Sequence, residues 1–151
     1  MKDKQLSVSA IKEGTVIDHI PASALFKVVS ILNLDKLDTM ITIGNSLGSA
    51  KLGKKGIIKL SKVFFEDNEV NKIALVAPCA KLNIIRDYDV VEKRDVEIPD
   101  EIFRIAKCVN PKCITNNENV STRFEVVSKT ALKLKCHYCE KITDQDNIEI
   151  I

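Results

Sequence analysis

Residues 108–139 read CVNPKCITNNENVSTRFEVVSKTALKLKCHYC. Two cysteine pairs frame this stretch, Cys108 with Cys113 and Cys136 with Cys139, spaced C-x4-C and C-x2-C with 22 residues between them. A pair at such spacing can bend round one metal ion, and zinc takes four thiolates as a tetrahedron at about 2.3 Å. Four sulfurs close the coordination shell and leave no position for a substrate, so the pattern implies one structural Zn2+ rather than a catalytic ion. Between the pairs, Phe124–Val127 and Ala131–Leu134 read as strands. The spacing therefore predicts a small zinc-bound all-β domain. A unit of about 50 residues buries too little to be secure alone, and zinc adds roughly 10–16 kcal/mol of apparent binding energy in small metal-folded peptides.

Disulfides fit the cysteines poorly. There are five of them, an odd number. The opening MKDKQLSVSAIKEG lacks the apolar run of a signal peptide, and no stretch approaches the ~18 apolar residues of a membrane helix. The expectation is a cytoplasmic protein without a membrane partner, in which thiols stay reduced. Cys79, in the apolar run IALVAPCA, is expected to be a buried inert thiol. His137, between two well-spaced ligands, is expected to be a loop residue and not a fifth ligand.

Dividing the chain near Ile98–Pro99 gives 15 basic and 13 acidic residues before the break and 8 of each after it. A zinc module with balanced charge is ill suited to a phosphate backbone, which needs a basic face. No aromatic stacking motif is evident either. Nucleic acid is thus not an expected partner. An enzyme would need a nucleophile, a base or an open metal position, and none is apparent.

Ahead of the cysteines the periodicity alternates between strand and helix. Leu6–Ala10 and Thr15–Ile17 read as extended, and Pro21 is expected to open a helix. Ala24, Leu25, Val28, Ile31 and Leu32 recur at helical spacing and form one apolar face. Met40–Ile43 reads as a strand, the glycine-bearing run Asn45–Gly56 as a loop, and Ile57–Leu60 as a strand. Glu66–Val76 reads as a second helix with acids in its first turn and Pro78 beyond its end. Lys81–Val96 returns to strand character, and Asp100–Ala106 reads as a short helical stretch. The β-α-β-β-α-β order predicts an α+β fold, a ferredoxin-like antiparallel sheet with two helices on one face, followed by the zinc domain. The expected domains are residues 1–98 and 99–151.

Positive charge gathers in the first domain. Thr39–Phe65 contains no acid but carries Lys51, Lys54, Lys55, Lys59 and Lys62. Lys51 and Lys54 read as solvated loop residues. Lys59 sits between Ile58 and Leu60 in a strand, so its side chain has a defined direction, and Lys93 ends the last strand in a similar setting. Two lysines fixed on a sheet can neutralise a phosphate as paired point charges, although a lysine facing water is the plainer reading. Asp18 and His19 are neighbours in extended chain, so their side chains diverge and they make a poor catalytic dyad. From the residues alone, the first domain is a lysine-bearing sheet suited to a small anion, beside a zinc module suited to a protein.

The chain resembles the regulatory chains of aspartate carbamoyltransferase. The segments that carry the resemblance are AIKEGTVIDHIPA, ITIG, IIKL, ALVAPCAKLNIIRDYDVVEK, CVNPKCI and KCHYCEK, in that order along essentially the whole length. The resemblance implies a non-catalytic allosteric subunit in pyrimidine biosynthesis. Its first domain would bind CTP as inhibitor and ATP as activator, with UTP acting beside CTP. Its zinc domain would dock on the catalytic chain, so that regulatory homodimers join catalytic trimers. The implied nucleotide site comprises Val8, Ala10, Ile11, Val16, Asp18 and His19, then Lys59, Asn83, Ile85, Tyr88, Val90 and Lys93. Lys93 would meet the triphosphate, with Lys59 and Asp18 close to base and ribose. Asn110 and Glu140 match positions that face the catalytic chain. Gln5 replaces a familiar lysine that helps bind the second nucleotide and metal, and Lys112 replaces a familiar asparagine. Asn83 and Ile85 share one face of a regular strand and Tyr88 and Val90 the other, so a common site requires a break in pairing near Arg86–Asp87.

Overall fold

The computed structural model describes residues 10–50 and 53–151. The chain divides into two compact units, Met1–Glu97 and Ile98–Ile151. No helix among the described residues is long and apolar enough to cross a membrane.

In the first unit β1 (Gly14–Pro21) leads through a 3-10 turn, Ala22–Ala24, into α1 (Leu25–Ile31). Then come β2 (Ile41–Ser49), β3 (Gly53–Ser61), α2 (Asp67–Val76), β4 (Lys81–Arg86) and β5 (Asp89–Asp95). The sheet order is β2-β3-β1-β4-β5, with antiparallel pairing throughout. The first four strands have the ferredoxin-like order, and β5 extends it as the hairpin partner of β4. The expected strand Leu6–Ala10 and the solvated Lys51 lie outside the described residues, save for Ala10.

The register explains why the sheet has one dry face. Directly opposite residues share a face, and the row Ile58–Ile17–Leu82 is fully buried. Leu25, Val28 and Ile31 of α1 and Val70, Ile73 and Ala74 of α2 are buried with it. Arg94, which extends the same row on β5, pairs with Asp67 at the start of α2. A capping box closes that start: Glu66 accepts the amide of Glu69, whose side chain accepts the amide of Glu66. Among the described residues the opposite face carries no helix.

Two expectations for this unit are corrected. Pro21 is the last residue of β1, one turn short of α1. Asn45–Gly56 is mostly strand, since β2 and β3 pair out to Ser49 and Gly53. Gly56 serves close approach and the stretch around Ser46 a bulge, rather than a loop. A Cβ on Gly56 would lie 2.7 Å from Leu25 Cδ1, so α1 needs a glycine beneath it. A bulge between Gly44 and Leu47 places Ser46 at φ 58°.

In the second unit β6 (Glu101–Phe103), β8 (Arg123–Ser128), β9 (Lys133–Cys136) and β10 (Ile142–Asp144) form an antiparallel sheet in the order β10-β9-β8-β6. A two-stranded ribbon pairs β7 (Ala106–Lys107) with β11 (Glu149–Ile150), and α3 (Ile114–Asn117) is a single turn. The expected helical stretch Asp100–Ala106 instead holds β6 and the start of β7, joined by a bend. Ile102 is buried opposite Phe124 of β8, and this cross-strand packing overrides a weak helical preference. Cys79 is also corrected: it is exposed, in the turn after Pro78.

Candidate functional site

Each unit brings one constellation together. In the second, the four cysteines converge although they arise from separate loops. Cys108 follows β7, Cys113 caps α3, Cys136 ends β9 opposite Phe124, and Cys139 lies in the turn beyond. Their sulfurs all lie within 4.8 Å of one another. Cys108 Sγ is 3.6 Å from Cys139 Sγ, and Cys113 Sγ is 3.7 Å from Cys136 Sγ. These are far from a bonded S–S distance of about 2.05 Å. They match the edge of a tetrahedron whose centre is about 2.3 Å from each corner, which is about 3.8 Å. The donor set fits one structural zinc ion.

The loops are built for this closure. Asn116 Nδ2 donates to the carbonyls of Cys108 and Asn110 (3.0 and 2.8 Å), and Asn117 Nδ2 donates to those of Pro111 and Cys113 (2.9 and 2.8 Å). The amide of Glu140 donates to the Cys136 carbonyl at 3.0 Å, and Thr115 Oγ1 donates to Cys113 Sγ at 3.2 Å. Burial pushes the Cys108 thiol up to about 12. Burial also opposes ionisation of Cys139, but the Lys141 amide, the Asn110 side chain and neighbouring thiols outweigh it and bring that group down to about 7. A dication bound among them reverses the preference for neutral thiols. His137 is exposed and lies outside the sulfur cluster, its ring edge-on to Tyr138. Asn110 is half-buried and accepts the Lys112 amide. Glu140 is exposed at φ 64°.

The first unit's constellation lies on the sheet face opposite α1 and α2. Lys59 pairs with Val16, Val16 with Asn83, and Asn83 with Lys93. These four residues therefore form one row across β3, β1, β4 and β5, with a lysine towards each end. Next to the row is a cleft of about 280 Å³ lined by Ala10, Ile11, Val16, Ile57, Lys59, Asn83, Ile85, Tyr88 and Val90. All but Ile57 belong to the residues that the resemblance assigns to a nucleotide. Val8 lies outside the described residues, and Asp18, His19 and Lys93 do not line the cleft.

Asp18 Oδ1 accepts Lys55 Nζ at 2.9 Å and the His19 amide at 2.6 Å. Burial raises the tendency of its carboxyl to hold a proton. The Lys55 hydrogen bond, the His19 amide and the nearby positive charges more than offset this and hold the group below its ordinary 3.8. Burial pulls the Lys59 ammonium below its ordinary value, opposed by the charge of Asp18. His19 occupies φ 59° within the β1 bulge between Ile17 and Ile20. In the sequence Ile57 reads as strand and Lys55 as part of the positive cluster, but neither is assigned to the site there. Ile57 shares the face of Lys59 at an offset of two, and Lys55 joins it at an offset of four once the strand is extended back through the expected loop.

The required break in pairing is present. β4 ends at Arg86 and β5 begins at Asp89. Asp87 and Tyr88 turn the chain at φ 51° and 69°, and a register shift sets Val90 opposite Ile85. Ile85, Tyr88 and Val90 can thus wall one cleft.

Two family profiles cover nearly the whole chain. That of the aspartate carbamoyltransferase regulatory chain, allosteric domain, matches residues 6–97, and that of the metal binding domain matches residues 100–149. Among similar proteins, the aspartate carbamoyltransferase regulatory chain of Bacteroides fragilis is 59% identical over 146 residues, 97% of this chain and 95% of the relative. That of Porphyromonas gingivalis is 54% identical over 151 residues, the full length of both. That of Thermococcus sibiricus is 54% identical over 145 residues, 96% of each chain. The chain belongs to the family of aspartate carbamoyltransferase regulatory chains, non-catalytic subunits built from an allosteric domain and a metal-binding domain.

Proposed function

We propose that residues 1–98 bind nucleoside triphosphates, CTP as inhibitor and ATP as activator, and that residues 99–151 dock on the catalytic chain of a cytoplasmic aspartate carbamoyltransferase. The observation that carries the nucleotide reading is the row Lys59–Val16–Asn83–Lys93 beside a cleft with apolar walls. Lysines towards its two ends suit an extended polyanion, and the walls of Ile11, Ile85, Tyr88 and Val90 suit a base and sugar. CTP and ATP share the triphosphate, so the lysines give affinity to both and the sign of regulation comes from the base. A nucleotide shifts the assembly only through unequal affinity for its two states, a coupling typically of about 1–3 kcal/mol. UTP would act beside CTP, with Gln5 in place of the lysine familiar there.

Asn110 and Glu140, beside the sulfurs, are the proposed contacts to the catalytic chain. Edge strand β2, with Ile43 and the adjoining Met40 exposed, favours a homodimer, since an edge left open among the described residues accepts a second strand. Such dimers would join catalytic trimers. Calorimetric titration of the zinc-loaded chain with CTP, repeated with ATP as competitor, tests the nucleotide reading. Mutually exclusive binding is expected, and binding of neither would overturn it. Co-sedimentation with the catalytic chain, weakened by changes at Asn110 and Glu140, tests the docking.

A further inference from the structure

Three segments meet at Arg86, which does not itself line the cleft. Arg86 Nη1 is 3.4 Å from Glu13 Oε1, just ahead of β1. The same guanidinium lies over the ring of Phe64, between β3 and α2, 4.5 Å from its centroid. The backbones of these segments are also joined. The Glu13 carbonyl accepts the Lys62 amide at 2.9 Å, and the Lys12 carbonyl accepts the Tyr88 amide at 2.9 Å. The cleft depends on both sides of this junction. Ala10 and Ile11, immediately before Lys12, form one wall, and Tyr88, two residues past Arg86, forms another.

The turn has no glycine to ease it. Asp87 and Tyr88 both occupy positive φ, where a two-residue hairpin turn favours Asn-Gly. A backbone held in a sparsely populated region persists only when its surroundings over-determine it. An exposed ion pair contributes little alone. A planar guanidinium that also stacks on an aromatic ring does more and resists replacement by lysine. We propose that Arg86 is a positioning residue for the cleft: by bridging Glu13 and Phe64 it fixes where the Ala10–Glu13 segment stands relative to the Asp87–Tyr88 turn. The inference rests on the nucleotide reading for its effect on affinity, and on the Tyr88–Lys12 hydrogen bond for its effect on structure.

The test is a double-mutant cycle on the full zinc-loaded chain, with CTP and ATP as probes and hydrogen exchange at the Tyr88 amide as an independent readout. Arg86→Ala and Phe64→Leu should each weaken both nucleotides about fivefold, or about 1 kcal/mol, and each should lower protection of that amide. The double variant should lose no more than Arg86→Ala alone, because that variant already removes the guanidinium–ring contact that Phe64→Leu removes. Arg86→Lys should recover less than half of the loss. Wild-type affinity for both nucleotides in Arg86→Ala would overturn the proposal. If the wild-type chain binds neither nucleotide, it is the nucleotide reading that fails, and the bridge is then judged by exchange: unchanged Tyr88 protection in Arg86→Ala would overturn it as well.

Discussion

Gly14 opens β1 and carries a heavy steric demand. It pairs with Ser61 on one side and Ile85 on the other, at φ +142°. A Cβ built there would lie 2.0 Å from the Leu60 carbonyl oxygen and 2.8 Å from the Lys62 nitrogen. Carbon–oxygen contacts normally begin at about 3.3 Å, so Gly14→Ala must push β1 and β3 apart by on the order of 1 Å. Both obstructing atoms are backbone and cannot rotate away. A side chain at that φ costs about 1–3 kcal/mol, and forced displacement in a packed region adds about 1–3 kcal/mol. The expected destabilisation of the first unit is thus about 4 kcal/mol, a large share of the 5–15 kcal/mol that holds a typical domain. Hydrogen exchange in β1 and β3 isolates this unit, and protection there should fall about a thousandfold. Gly48→Ala is the control. It lies on the edge strand with nothing within 4 Å of the added Cβ, so its effect should stay within about 0.5 kcal/mol. Equal protection in the two variants would refute the reasoning that close approach at Leu60 requires the glycine.

Further outcomes follow from the two constellations. Lys93→Ala should weaken CTP and ATP alike, by about tenfold each in calorimetry; loss of only one nucleotide would rule out the shared-triphosphate account. Stripping zinc with a strong chelator should abolish amide protection in β8 and β9, release the catalytic partner and leave CTP affinity of the first unit nearly unchanged; lost CTP binding would mean that the units are coupled. Asp18 titrates lower in the folded chain than its ordinary 3.8, so its stabilisation is complete above that value and fades as pH falls through the lower folded-state value. Acid unfolding of Asp18→Asn should lack this component, and an unchanged acid limb would show that the Lys55 pair contributes nothing.

Local pattern made part of this fold legible. The spacing of Leu25, Val28 and Ile31, and of Val70, Ile73 and Ala74, marked the helix faces that are buried. The two cysteine pairs marked the metal centre because ligand spacing is itself local. Elsewhere the deciding contacts were distant. Gly56 read as a loop residue until Leu25 stood above it. Ile102 lay in an apparent helical stretch until Phe124 paired with it. Cys79 sat in an apolar run, but the turn after Pro78 carries it to the surface. The lysine row is the clearest case. Lys59 and Lys93 are 34 positions apart, and only the register of four strands aligns them. Their strand settings suggested paired charges for a phosphate, but the ligand's identity came from family likeness, since no pattern within either segment points to the other.

That alignment makes the sheet a ruler. Adjacent strands stand about 4.8 Å apart, so three intervals separate the backbones of Lys59 and Lys93 by about 14 Å. Inorganic phosphate meets both ammoniums only if the two side chains fold inward over Val16 and Asn83. With the side chains standing upright from the sheet, a molecule that engages both lysines is long, and it carries something other than charge across Val16 and Asn83 in the middle. Discrimination against the abundant small anions of a cell would then come from strand spacing, a property of the backbone that substitutions at the two lysines leave in place.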